Sequence, residues 1–162
     1  MFFILRQQAA EMTLQARIFH CQIDTPDGPV LDGDIVSIKL PLHDGYMGIF
    51  ANHAPVTAVL GTGLVSLALP AGQARKLFLS RGFLRFADNA LAILAEECMP
   101  VEKLDMEAAW NLLQRAYKMP RDTDEQRALR DEAIAAGRIR FALVPKTDDK
   151  TVSLAEAMSK GL

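Results

Sequence analysis

Residues 44–57 read D-G-Y-M-G-I-F-A-N-H-A-P-V-T, and their punctuation decides the fold. Gly45 opens a short apolar run, Tyr46 to Phe50, and His53-Ala54-Pro55 turns the chain into a second run, Val56 to Leu60. Glycine admits backbone angles that other residues avoid, and proline presets φ while withholding an N–H. The stretch is therefore two strands meeting at a β corner, and no residue in it has the setting of a catalyst.

The same grammar extends outward. Upstream, Ile35 to Leu42 alternates, with Val36, Ile38, Leu40 and Leu42 as one apolar row, the mark of a strand lying on a core. Thr25-Pro26-Asp27-Gly28-Pro29 and Asp32-Gly33-Asp34 are turns around the short Val30-Leu31. Leu14 to Asp24 alternates with apolar residues on both faces, as expected of a strand between two layers. Downstream, Gly61-Thr62-Gly63 turns into the strand Leu64 to Leu69. Arg75 to Ser80 and Phe83 to Phe86 are strands on either side of Arg81-Gly82, and Ala90 to Ala95 is the last. About ten short strands with turns every few residues predict an antiparallel sandwich over residues 13–99.

At Met99-Pro100 the period changes. From Glu102 to Lys118 apolar residues fall at helical spacing: Leu104, Ala108, Leu112 and Ala116, flanked by Ala109, Leu113 and Tyr117. Pro120 ends that helix, and Asp122 or Thr123 is placed to cap a second one, Asp124 to Leu143. Its inner side carries Leu129, Ala133, Ala136, Ile139 or Arg140, and Leu143, and Gly137 should cost it about 1 kcal/mol against alanine. The fold class is α+β by content: the sandwich, then an antiparallel two-helix hairpin over residues 100–144. A helix pair buries little by itself, so it should lie against the sandwich or another protein. Residues 1–12 read as an N-terminal extension and 145–162 as a tail.

Composition narrows the function. Half of the 162 residues are hydrophobic, 23% are charged and the formal net charge is −2. A globular protein is implied, without the basic excess that nucleic acid or anionic lipid attracts. No run reaches the roughly 18–20 apolar residues of a membrane span. Cys21 and Cys98 form no CxxC motif and read as two buried free thiols. His20, His43 and His53 make no HxH or HExxH pattern, so no metal is expected. Gly61-Thr62-Gly63 lacks a full dinucleotide fingerprint, Ser80 lacks a nucleophile elbow, and Glu96-Glu97 reads as a solvated strand end. Arg127, Arg130, Arg138 and Arg140 read as a solvated helix face, or else as a contact for an acidic partner or a nucleotide. The competing classes are a stand-alone β-sandwich interaction adaptor and a cupin-like enzyme built on the three histidines.

Four stretches in order carry a family resemblance: T-P-D-G-P-V-L-D-G-D-I, D-G-Y-M-G-I-F-A-N-H-A-P-V-T-A-V-L, S-R-G-F-L-R-F-A-D-N-A-L-A-I-L-A-E and L-D-M-E-A-A. Together they resemble the epsilon subunits of F-type ATP synthases, over about Leu14 to Leu143. That resemblance implies a non-catalytic rotor subunit without a cofactor, peripheral on the cytoplasmic face of the bacterial inner membrane. Its sandwich would bind the gamma subunit on one side and the c-ring loops at its lower end. Its hairpin would fold back or extend into the alpha/beta catalytic head, where such hairpins inhibit ATP hydrolysis; Arg127, Arg130 and Arg138 are the candidate contacts there. The ring contact falls on Gly45, Tyr46 and Met47, where relatives often carry an acidic residue in the place of Tyr46. His53, Ala54 and Pro55 would shape the corner beside it and offer a further partner contact. The pattern with which many bacterial relatives bind a regulatory ATP is degenerate here: Leu104, Asp105, Ala108 and Ala109 occupy it, with Ala108 in the arginine place. Loss of that guanidinium removes a bidentate phosphate partner, so ATP binding is not expected.

Overall fold

The structure, a computed structural model, describes residues 18–70 and 72–145. The expected extension 1–12, the start of the first strand at Leu14 and the tail from residue 146 lie outside the described residues. The chain divides at Cys98/Met99 into two compact units.

Among the described residues the first unit is a sandwich of eight strands: β1 (Phe19–Thr25), β2 (Gly28–Ile35), β3 (Ser37–Leu42), β4 (Gly45–Phe50), β5 (Val56–Leu60), β6 (Gly63–Ala68), β7 (Ala74–Ala87) and β8 (Ala90–Pro100). The order is β2-β1-β8-β7-β5-β3-β4, with β6 pairing β3 and β7. Strand β7 belongs to both layers: its first half pairs β6 and its second half pairs β5. This corrects the expectation of about ten strands, because Gly82 does not interrupt β7. A Cβ at Gly82 would stand 2.2 Å from the Leu94 carbonyl oxygen. Glycine is there so that β8 can close on β7, a use of the residue that sequence does not distinguish from a turn. The sandwich is also not wholly antiparallel, since β1 runs parallel to β8 with Cys21 opposite Leu91.

Alternation explains the core. Phe19, Cys21 and Ile23 of β1 point inward while His20 and Gln22 are exposed, so this strand is polar outside rather than apolar on both faces. Each strand sends side chains into one continuous cluster that includes Ile35, Leu40, Ile49, Leu60, Val65, Leu79 and Ile93. Phe19 and Phe86 meet edge to face at 5.5 Å within it, a geometry favoured by the ring quadrupoles.

The second unit is a 3-10 turn, Val101–Lys103, followed by helices α1 (Met106–Tyr117) and α2 (Asp124–Leu143). Helix α1 starts four residues later than its periodicity suggests. Leu104 is extended, and Asp105 is the N-cap, accepting the Ala108 N–H at 2.7 Å. The buried stripe is also displaced from the expected one: Ala109, Leu113 and Ala116 are buried, whereas Ala108 and Leu112 are exposed. In α2, Ile134 and Gly137 are buried and Leu129 is exposed. Gly137 faces Leu113 so closely that a Cβ would lie 3.2 Å from the Leu113 Cα. Its helix penalty is thus offset by the close approach it permits. Thr123 caps α2 in a full capping box with Gln126, which satisfies N–H groups that the first turn leaves unpaired.

Candidate functional surfaces

The two sandwich clusters singled out in the sequence occupy opposite ends of β4, not neighbouring positions. Gly45 begins the strand and Phe50 ends it just before the corner, a span of roughly 17 Å at strand rise. At the first end, Gly45 takes φ 152°, open to glycine. Tyr46 points outward, 55% exposed, while Met47 points inward and packs against the core. Tyr46 is therefore the residue this turn presents. Its ring carries the Lys39 ammonium 4.9 Å from the centroid, a cation–π contact. Its hydroxyl sits 3.2 Å from where a Cβ of Gly63 would be. Phe50, on the same outward face of β4, is also exposed.

At the other end, the His53 N–H donates to the Phe50 carbonyl, and Asn52 takes a left-handed φ of 62°. Asparagine tolerates that region better than most residues. His53 lays its ring edge-on to Phe86 at 5.9 Å, and its Nδ1 lies 2.7 Å from the Ala54 carbonyl. The tautomer that fits has the proton on Nδ1, because a carbonyl only accepts. The Asn89 side chain ties the corner to its surroundings. Its Oδ1 accepts the Asn52 N–H at 2.8 Å and its Nδ2 donates to the Ile18 carbonyl at 3.0 Å. His53 is thus part of a braced corner, and Ala54 and Pro55 are its exposed tip.

His43 stands at the Gly45 end of β4, His53 at the other end, and His20 on β1. His20 faces carboxylates instead, with Nε2 3.1 Å from Asp32 and Nδ1 3.5 Å from Asp34. Among the described residues no three His, Cys, Asp or Glu side chains converge in a way that could hold a metal ion, and no helix is long and apolar enough to cross a membrane. Cys21 and Cys98 are buried and free. Burial pushes their thiols up to about 12 and about 11, with a smaller contribution from Cys98 in the first case and Glu97 in the second. At neutral pH both are protonated and unreactive.

In the hairpin the three arginines already have partners. Arg127 pairs with Asp124 and donates to the Arg121 carbonyl. Arg130 reaches the Tyr117 carbonyl at 3.4 Å and Asp131 at 3.7 Å. Arg138 donates two N–H groups to the Tyr117 hydroxyl, at 2.8 and 3.2 Å. They knit α1 to α2 and brace the turn between them. Of the degenerate nucleotide pattern, Leu104 and Ala109 are buried, Ala108 is exposed, and Asp105 is the cap of α1.

One group of side chains escapes a reading of the sequence. Val59, Phe83 and Leu94 are 58%, 61% and 63% exposed, and they lie on the interior strands β5, β7 and β8. Their signal is present: in F-L-R-F and A-L-A-I-L-A both alternating faces carry apolar residues.

These features define a class, a β-sandwich bearing a separately cored helix pair. Residues 18–101 match the family described as ATP synthase, Delta/Epsilon chain, beta-sandwich domain. The chain is 33% identical over 122 residues to the ATP synthase epsilon chain of Rhodopirellula baltica, spanning 74% of this chain and 94% of that one. It is 37% identical over 110 residues to that of Bacillus velezensis, spanning 65% and 83%. A chain of the Euglena gracilis mitochondrial ATP synthase, solved as OSCP/F1/c-ring, shares the fold with a TM-score of 0.60 at 22% identity, over 87% of this chain and 82% of that one. A chain of the Tetrahymena thermophila mitochondrial ATP synthase central stalk and c-ring does so with a TM-score of 0.63 at 12% identity, over 78% and 96%. The chain belongs to the ATP synthase epsilon chain family.

Proposed function

We propose that the protein is the non-catalytic link between the gamma subunit and the c-ring of an ion-driven ATP synthase, held at the cytoplasmic face of the membrane by its partners. The observation that carries this reading is the division of labour in the chain. A rigid sandwich offers outward side chains at both ends of β4 and across its sheet. A small helix pair follows with a core of its own. Tyr46, at the Gly45–Met47 turn, is the ring-side contact. Lys39 and the tyrosine ring fill the place where relatives often use an acidic side chain, so the ring loop meets an aromatic and a cation there.

The hairpin is the element that inhibits ATP hydrolysis by entering the alpha/beta head. For Arg127, Arg130 and Arg138 to act there they must exchange the partners they hold within the hairpin, a two-state arrangement that rotor contacts can bias. ATP binding is not expected, since Ala108 supplies no guanidinium and Asp105 is engaged at the helix cap.

Capture of gamma and c-ring subunits by the tagged full chain from detergent-solubilised membranes at low salt tests the reading. Recovery of neither would leave the adaptor alternative standing. Deleting residues 103–162 should preserve that capture and raise ATPase activity. Unchanged hydrolysis would remove the inhibitory role. Titration with ATP should show no saturable binding in the micromolar range.

A further inference from the structure

Tyr46 is more than half exposed, yet three neighbours hold its ring. It stands directly opposite Pro41 of β3. The Pro41 carbonyl accepts the Gly61 N–H at 3.0 Å, on the side of β3 away from β4. The N–H and C=O of one strand residue point to the same edge. Pro41 and Tyr46 are therefore a non-hydrogen-bonded pair, the kind whose side chains come closest. Gly63, buried at the start of β6, completes the seat. A Cβ there would lie 2.8 Å from the Pro41 Cβ and 3.2 Å from the Tyr46 hydroxyl. Lys39 adds a third restraint. It lies two residues before Pro41, on the same face of β3, and its ammonium is 4.9 Å from the ring centroid. Its partner across the strands is Gly48, which has no side chain to compete for the ring. The other charged or titratable groups nearest in register are Lys76, across Ser66 from Lys39, and His43 with Asp44 in the turn before Gly45.

We propose that Gly63 and Lys39 are positioning residues for Tyr46, holding an exposed tyrosine in the orientation in which it meets the c-ring. The inference rests on the proposed ring-side role of Tyr46 and adds the residues on which that role depends. A surface side chain that is free gives up rotamer freedom when it binds, whereas one already seated does not. Gly63 acts by leaving room. In Gly63→Ala the new methyl would crowd both Pro41 and the tyrosine hydroxyl. Pro41 belongs to a strand paired on both sides, while the tyrosine turns freely about its side-chain bonds, so the ring is what leaves its seat. Lys39 acts by attraction, since an ammonium beside an aromatic ring is drawn to its π-electrons. Both residues work through the ring, and the c-ring meets the tyrosine.

The test uses the full chain bound to the gamma subunit of the same enzyme, and reads its affinity for the purified, detergent-solubilised c-ring. Tyr46→Ala should weaken binding on the order of 30-fold. Lys39→Met keeps the stem, removes the cation and should cost about three- to tenfold. Gly63→Ala should cost about tenfold. Added to Tyr46→Ala, either change should alter affinity by less than about twofold, because a residue that acts through the tyrosine has nothing left to act on. Affinity for gamma should be unchanged in every variant, and circular dichroism checks each for a native sandwich. If Gly63→Ala does not fold, Lys39→Met carries the test. Wild-type ring affinity in Lys39→Met or in a folded Gly63→Ala protein would overturn the positioning role. So would a loss of equal size with and without Tyr46, which would make the residue a contact of its own. Full ring affinity in Tyr46→Ala would instead overturn the ring-side reading on which the proposal rests.

Discussion

The sandwich and the helix pair hold themselves together on very different margins. All eight strands feed one cluster, from Phe19 on β1 through Ile49 on β4 to Ile93 on β8. The helix pair has Leu113, Ala116 and Ile134, with Trp110, Tyr117, Met119 and Ala133 packed around them. A fully buried large apolar side chain contributes roughly 1.5–3 kcal/mol. Ordering a residue's backbone costs roughly 1–2 kcal/mol. The sandwich has many such contributions for each turn it must order, and the helix pair has few. The difference suits one unit to be a platform and the other to be an element that can be remade. It also means that the helices depend on details: a glycine contact, two caps and a set of arginine hydrogen bonds.

The largest blow to the sandwich should come from a single methyl group. In Gly82→Ala the new Cβ would meet the Leu94 carbonyl oxygen at 2.2 Å and the Ala95 Cα at 2.9 Å. Both obstacles are backbone, so no rotamer change relieves them and β8 must move away from β7. The expected loss is about 3 kcal/mol or more, at the upper end for overpacking. Urea unfolding of the full chain measures it. A loss under about 1 kcal/mol, the centre of the range for ordinary substitutions, would show that the two strands are less constrained than the close approach implies.

Leu113→Ala attacks the other unit. Removing a buried leucine side chain costs about 2–5 kcal/mol, which the small helix core cannot absorb. The single tryptophan of the chain reports the outcome, since Trp110 lies 5.7 Å from Phe141 across the two helices. Its fluorescence should shift toward that of a solvated indole while the β-sheet circular dichroism persists. Loss of both signals in one transition would show that the units are coupled, and the contrast between them would fail.

Alkali should act on the sandwich, because both thiols belong to it. Their folded values, about 12 for Cys21 and about 11 for Cys98, lie above the ordinary 9.0. The native state therefore holds protons that the unfolded chain releases. The contribution is whole below about pH 9 and is lost progressively from there up to about 11–12. Sandwich stability should be level between about pH 7 and 8.5 and fall steeply above about pH 9. A thiol reagent should find neither cysteine in the native protein at about pH 8. Rapid labelling under those conditions would mean that the sandwich opens locally.

How much of this is legible in sequence depends on whether a residue's neighbours lie nearby in the chain. The Ile38–Leu40 row of β3 and the limits of α2 can be read, because each depends on local periodicity or a local cap, whereas β1, expected to be apolar on both faces, is polar outside, and Ile35 belongs to β2 rather than to the strand after it. Gly82 and Gly137 cannot be read this way. Each reads by its local effect, a break and a helix penalty, whereas its use is contact with a strand or helix brought alongside by the fold. The α1 stripe slips for a related reason: with Ala108 beside Ala109 and Leu112 beside Leu113, two apolar stripes fit the spacing, and the packing against α2 chooses between them. At the surface, the resemblance puts a contact on Gly45, Tyr46 and Met47 alike, and only the fold separates the exposed Tyr46 from Met47, which packs on the core. That His53 sits at the far end of the same strand follows only once β4 is seen to run unbroken from Gly45 to Phe50.

The smallest effect is the one best suited to test whether the helix pair lives on details. Thr123 Oγ1 accepts the Gln126 N–H at 3.2 Å, and the Gln126 side chain accepts from the N–H groups of Asp122 and Thr123 at 3.0 and 3.3 Å. Thr123→Ala removes the first of these and should cost about 1 kcal/mol. In the sandwich a loss of that size would vanish within the whole. In a helix pair whose core cluster is as small as Leu113, Ala116 and Ile134 with partly buried neighbours it is a large share of the margin, so the Trp110 signal should melt at lower urea while the sheet signal stays in place. Thr123→Ser keeps the accepting oxygen and should restore the melt. If serine and alanine behaved alike, the cap would not be what holds the start of α2, and the Asp124–Arg127 pair one residue further on would have to carry it instead.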